Sequence, residues 1–173
     1  TTSYQGPWAE WTYDTATSTF PPIPPATVGA GTGLTGGWIR DGFGTPSSGT
    51  GPLNGATSAD GNYYLYCETS GLFGITPPPI ANLHSSCVDL SNFYNPYFVF
   101  SYNMFGATMG TLNVDISTDN TTTWTNLWTL SGDQGQAWLE DTVSLSAYSG
   151  QIVQLRMNYT SGTSFTGDCA IDY

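Results

Sequence analysis

The sequence predicts an all-β fold, a jelly-roll β-sandwich, and three observations predict it. Short alternating runs recur from Trp38 onward: NYYLYCE, ANLHSSCVDL, YFVFSYNM, TLNVDIS, WTNLWTL, DTVSLS, IVQLRMNY and CAIDY. Turn clusters such as GTPSSGTGP, TPPP and SGDQGQ separate them. No stretch sustains a helical period of useful length, which leaves strands as the only regular element.

Residues 1–37 read differently from the rest. SYQGPWAEWTYD is aromatic, FPPIPP is stiff and extended, and TVGAGTGLTGG is flexible, so this part is expected to be an arm and residues 38–173 the folded body. Within the body, Leu112, Val114 and Ile116 alternate against Asn113, Asp115 and Ser117, and polar TDNTT leads into a Trp- and Thr-rich return. Asp115, Ser117 and Asp119 imitate the start of an EF-hand, but that loop needs Gly at its sixth place and Glu at its twelfth. Asn120 and Asn126 stand there, so a hairpin is predicted, with its carboxylates on the solvated face.

At 173 residues the chain makes one domain able to bury about two-thirds of its unfolded surface. Arg40 and Arg156 are its only cationic side chains, there is no lysine, and the net charge is −11. Nucleic acid and anionic membrane surfaces are excluded as partners, since both require clustered Lys and Arg. With 39% hydrophobic and 14% aromatic residues there is ample material for a core, while only 9% charged residues leave a surface of Thr, Ser, Asn, Gln and Gly. That dress is typical of secreted proteins. The chain begins at Thr1 without Met, and a mature secreted protein or an excised domain is expected.

Three scattered cysteines are too few for a four-ligand zinc site. Cys67, Cys87 and Cys169 all read as inward-facing; a Cys67–Cys87 bridge fits two neighbouring strands, and a bridge using Cys169 stays open. His84, the only histidine, has no nucleophile elbow or metal-binding partner in the sequence and is expected at the surface. Glu140 and Asp141 are adjacent on a strand and point to opposite faces, so they cannot flank a glycosidic bond. No catalytic constellation is read.

The blocks GTPSSGTGP with DGNYYLYCE, ANLHSSCVDLS, FSYNMFGATMGTLNVDISTDN, TTTWTNLWTLSGDQGQAW, TVSLSAYSGQIVQLRMNY and GDCAIDY resemble, in order, the MAM domain, the meprin-type adhesion module. The form resembled is that of secreted proteins of marine and gliding bacteria, and the match runs from about Trp38 onward. The resemblance implies a jelly roll, a non-catalytic role in adhesion or assembly, and a structural cation where early and final strands meet. Two departures stand out: LTGG replaces the family's acidic first strand before Trp38, and its closing Ile-Asp-Asp is here IDY.

For the implied cation, Asp60, Glu68 and Asp172 match acidic positions of the family pattern and Asp41 lies beside the altered block; hard oxygens from several strands suit calcium. The alternative is that Asp60 makes an Asp-Gly turn and the others are capped by backbone amides. Tyr4, Trp8, Trp11 and Tyr13 of the arm are expected to contact a neighbouring copy or a glycan, whereas Trp38, Trp124, Trp128 and Trp138 are expected in the core. Asn120 and Asn158 form glycosylation sequons in a eukaryotic route, and Thr15 and Thr142 resemble the bacterial pattern. The expected function is an extracellular adhesion module that associates with copies of itself or other surface proteins. Arm exchange would then build a filament. The alternative is a carbohydrate-binding module of a secreted enzyme.

Overall fold

The computed structural model describes residues 11–13, 18–19, 37–55, 63–71 and 74–172. It is a jelly-roll sandwich of two antiparallel sheets. The strands are β1 (Thr12–Tyr13), β2 (Trp38–Asp41), β3 (Tyr64–Cys67), β4 (Ile80–His84), β5 (Val88–Asp89), β6 (Tyr97–Asn103), β7 (Thr111–Ser117), β8 (Thr125–Ser131), β9 (Leu139–Ser144), β10 (Ile152–Thr160) and β11 (Cys169–Asp172), with a 3₁₀ turn at Ser146–Tyr148. The first sheet runs β1-β4-β10-β7-β8, with β5 also on β10; the second runs β2-β3-β11-β6-β9.

Alternation does what a half-buried strand requires. Val153, Leu155, Met157 and Tyr159 of β10 and Leu112, Val114 and Ile116 of β7 are buried, and they meet Phe100, Tyr102, Leu65 and Ile171 of the second sheet in one core. Truncating any of the central leucines to Ala costs about 2–5 kcal/mol. The hairpin predicted for residues 112–131 forms as β7–β8, in register from Thr111↔Ser131 to Ile116↔Thr125 with a bulge beside Val114. Its turn is fixed by Asp119, whose carboxylate accepts from the Thr123 backbone N–H (2.9 Å) and hydroxyl (2.6 Å), and those bonds hold its pKa down to about 2.

β3 and β11 are buried on both faces. The outer face of the second sheet carries Ile39, Tyr64, Tyr66 and Ala170, with Trp138 packed against them, and the segment 42–55 is tied to this face by two hydrogen bonds. The Tyr64 hydroxyl donates to the Phe43 carbonyl and Trp138 Nε1 donates to the Gly55 carbonyl (2.9 Å). Gly55 has φ +84°, and a Cβ there would sit 2.5 Å from the Gly42 carbonyl oxygen, so only glycine lets the loop close this tightly.

The expected Cys67–Cys87 bridge is not formed. β3 pairs with β2 and β11, while the strand preceding Cys87 belongs to the other sheet, so the two are not on neighbouring strands. All three cysteines are thiols; Cys87 is exposed, and buried Cys67 faces buried Cys169 across the β3–β11 ladder. The arm, expected to contact a neighbouring copy or a glycan, contributes two short described stretches, residues 11–13 and 18–19. Its described residues dock on their own body, Thr12 opposite His84 and Tyr13 opposite Leu83. Ser18 Oγ and Thr19 Oγ1 accept the Asn82 and Ile80 N–H groups (2.8 Å each).

Candidate functional site

One end of the sandwich carries an apolar groove of about 600 Å³. Trp11 from the arm, Val88 of β5, Leu90, Phe93 and Pro96 of the following loop and Phe98 of β6 line it. Phe98 continues inward as a chain of rings, with centroids 5.3 Å from Phe98 to Phe100 and 5.1 Å from Phe100 to Trp128. On the same loop and strand, Phe93, Tyr94 and Tyr97 stand 58%, 88% and 67% exposed. Large apolar side chains gathered at the surface in this way mark a contact site. Of the arm residues expected to make contacts, Trp11 reaches the groove; Tyr13 places its backbone on β4, and Tyr4 and Trp8 lie outside the described residues. The loop aromatics were missed by sequence reasoning, although SNFYNPY puts three rings into a turn-rich stretch with no strand period to bury them.

A second feature lies beside residues 42–55. Immediately beyond the Cys67–Cys169 pair the chain carries Glu68 and Asp168, 3% and 0% exposed. Asp168 Oδ1 accepts from the Thr69 backbone N–H (2.9 Å) and hydroxyl (3.0 Å), and Glu68 Oε1 accepts from the Ser70 N–H (2.8 Å). Their other oxygens, Oδ2 and Oε2, and the Tyr66 hydroxyl are buried with no hydrogen-bond partner. Burial first, and then repulsion by Glu68, pushes the Asp168 carboxyl up to about 8. Buried oxygens are normally satisfied, and two orphaned carboxylate oxygens fit a hard cation. Among the described residues no three His, Cys, Asp or Glu side chains gather, so hydroxyls and carbonyls would complete any coordination. Of the residues nominated from sequence, Glu68 is in this cluster. Asp41 instead accepts the Gly42 and Phe43 N–H groups (2.6 and 3.1 Å), Asp172 is buried opposite Ser101, and Asp60 lies outside the described residues. In the segment GDCAIDY it is Asp168, and not the expected Asp172, that the fold brings to Glu68.

The outer face of the first sheet is polar. His84, expected to be a lone surface residue, lies 4.9 Å from the Trp124 ring, and the Arg156 guanidinium lies 4.4 Å from the same ring. Trp124 is therefore an outer-face residue rather than a core one, unlike fully buried Trp38 and the half-buried Trp128 and Trp138. Asp115, expected to be solvated, is 6% exposed because Arg156 clamps it through Nε (2.9 Å) and Nη2 (2.7 Å). Asp141 accepts from Trp128 Nε1 (2.7 Å) at the edge of β9, away from any pairing with Glu140. Asn120 sits exposed at a turn with φ 56°, Thr142 is exposed on β9, and Asn158 is half-buried within β10; Thr15 lies outside the described residues.

The fold is that of a two-sheet jelly roll, and the sequence states which family of jelly roll it is. The model of the family "MAM domain, meprin/A5/mu" matches residues 30–173, and the chain belongs to that family. It is 34% identical over 131 residues to mouse MAM domain-containing glycosylphosphatidylinositol anchor protein 2, covering 71% of this chain and 13% of that protein. It is 31% identical over 137 residues to zebrafish Neuropilin-1a, covering 78% and 14%. The chain thus spans about an eighth of the length of these relatives. They are vertebrate proteins, so they support the family and not its bacterial form. Among solved structures, a cleaved adhesin domain of Lys-gingipain from Porphyromonas gingivalis superposes with a TM-score of 0.53 at 19% identity, covering 79% of this chain and 80% of that one, a likeness of fold.

Proposed function

We propose that the chain is a non-catalytic adhesion module working outside the cell, and that it makes its contact at the aromatic groove. The observation that carries this is the pair of exposed rings, Phe93 and Tyr97, that line that groove, with exposed Tyr94 next to Phe93 in the loop. The partner we propose is a second copy. β1 is held on β4 by two register pairs, and the same pairing made by a neighbour's arm would satisfy the same edge without closing on itself, giving an open filament. Sedimentation of the full chain at rising concentration tests this. Concentration-dependent species that Tyr97→Ala weakens are expected; a monomer at the highest concentration would overturn self-association.

We also propose a structural calcium ion held by Glu68 and Asp168. When bound it would neutralise two adjacent buried carboxylates and tie the end of β3 to the segment entering β11.

A second reading, carbohydrate binding, is favoured by a different surface: the polar, hydrogen-bonded outer face of the first sheet, where Arg156 and Asp115 neutralise one another.

A further inference from the structure

We propose that the outer face of the first sheet binds an uncharged polysaccharide laid across its strands, with Asn158, Asn113 and Thr129 as the contact line and buried Asn82 as the anchor of that row. The inference rests on the carbohydrate reading above and gives it a site and a ligand class.

Strand register sets these four side chains side by side on four consecutive strands. They are joined laterally: Asn158 Nδ2 donates to Asn82 Oδ1 (2.6 Å), Asn113 Nδ2 to Asn158 Oδ1 (3.1 Å), and Thr129 Oγ1 to Asn113 Oδ1 (2.8 Å). An amide offers two N–H donors and two acceptor lone pairs. In this row Asn158 spends one donor and one acceptor sideways, and Asn113 spends one donor and has its oxygen taken by Thr129 and Asn126. The remaining donors of both amides and an acceptor of Asn158 are left for a partner, on side chains whose rotamers the row already holds. Vicinal sugar hydroxyls, each donor and acceptor at once, complement that pattern.

Spacing points the same way. Neighbouring strands lie about 4.8 Å apart, close to the repeat of one pyranose ring in an extended chain, so a glycan crossing the strands meets one polar side chain per sugar. In the adjacent row, His84–Arg156–Asp115–Asn126, the Trp124 ring lies against His84 and Arg156, which hold it in place as an apolar wall for a pyranose C–H face. Charge selects the class. Arg156 is the face's guanidinium and is bound to Asp115, and the chain carries −11 overall, so a polyanionic glycan meets repulsion with no compensating cation.

Native affinity electrophoresis of the full chain tests this, using gels containing neutral glucans, galactans and mannans, and anionic alginate and pectate. Retention by a neutral polysaccharide is expected. Trp124→Ala and Thr129→Val, at positions outside the core, should each weaken it about tenfold, the worth of one well-placed hydrogen bond or ring contact. Tyr97→Ala in the end groove should leave it unchanged. Retention sensitive to Tyr97→Ala alone would move the glycan to the groove and overturn this inference while leaving the carbohydrate reading standing. Retention only by the anionic polymers would overturn the ligand class. No retention in any gel would overturn both.

Discussion

The Trp11 ring of the arm stacks on Phe98 of its own body, with centroids 5.9 Å apart and planes at 29°. The arm therefore has a seat within the chain that carries it, and a filament would require that seat to be taken by the same residue of a neighbour. Trp11→Ala removes a stacked pair worth about 0.5–1.5 kcal/mol beyond its buried area. At this chain length that lowers the melting temperature by a few degrees, measured by calorimetry. An unchanged midpoint would mean that the ring does not hold the arm.

Arg156 and Asp115 form a two-point ion pair whose side chains are 17% and 8% exposed. Removing one member strands the other, so Asp115→Ala is expected to cost about 2–3 kcal/mol, below the full penalty for a completely buried pair because water still reaches the guanidinium. The double change Asp115→Ala, Arg156→Met should recover part of that loss. Urea unfolding of the three variants gives the comparison, and a double variant less stable than Asp115→Ala would show that the pair's packing outweighs its charges.

The calcium proposal carries a pH signature. Asp168 titrates at about 8 in the fold and near 3.9 in an unfolded chain, so between those values the folded state keeps a proton that the unfolded state has lost. Stability then falls as pH rises from about 4 to about 8, and a cation that replaces the proton reverses the loss. In EDTA the melting temperature should fall between pH 5 and pH 8 relative to Asp168→Asn. Added calcium should raise it more at pH 8 than at pH 5, by mass action on the folded state. If EDTA and calcium leave the midpoint unmoved at pH 8, no cation binds there.

What was legible follows from what is local. The β7–β8 hairpin could be read because Leu112, Val114 and Ile116 alternate against polar neighbours, and that pattern survives folding unchanged. β3 could be recognised as a strand, but its burial on both faces depends on distant contacts, Phe43 on the Tyr64 hydroxyl and Trp138 packed on the Tyr64 and Tyr66 cluster, which no period within YLYC encodes. The groove joins Trp11 to Phe93 and Phe98, and the carboxylate pair joins Glu68 to Asp168. Both are products of topology, assembled from segments that only the sandwich brings together. Trp124 was misplaced for the same reason: its partners, His84 and Arg156, come from β4 and β10.

The cysteines give the last prediction. Cys67 and Cys87 are close in sequence, which favours pairing them, but the jelly roll sends the chain to the opposite sheet between the two. Cys67 and Cys169 are fully buried, and burial pushes both thiols well above their ordinary range; each is further raised by nearby acidic groups, Cys169 and Asp168 acting on Cys67 and Asp168 acting on Cys169. The thiolate is the reactive form, so two barriers protect these positions: no access for a reagent and almost no thiolate at neutral pH. Cys87 is open to a reagent, being exposed beside the groove residues Ser86 and Val88. Reduced native protein treated with a disulfide reagent at pH 8 should therefore release one equivalent quickly, and the remaining two only when denaturant is added. Peptide mapping should place the fast label on Cys87. Three fast equivalents would mean that the β3–β11 ladder opens readily. None would mean that Cys87 is covered in solution, as it would be if the surface beside the groove were already occupied by another copy.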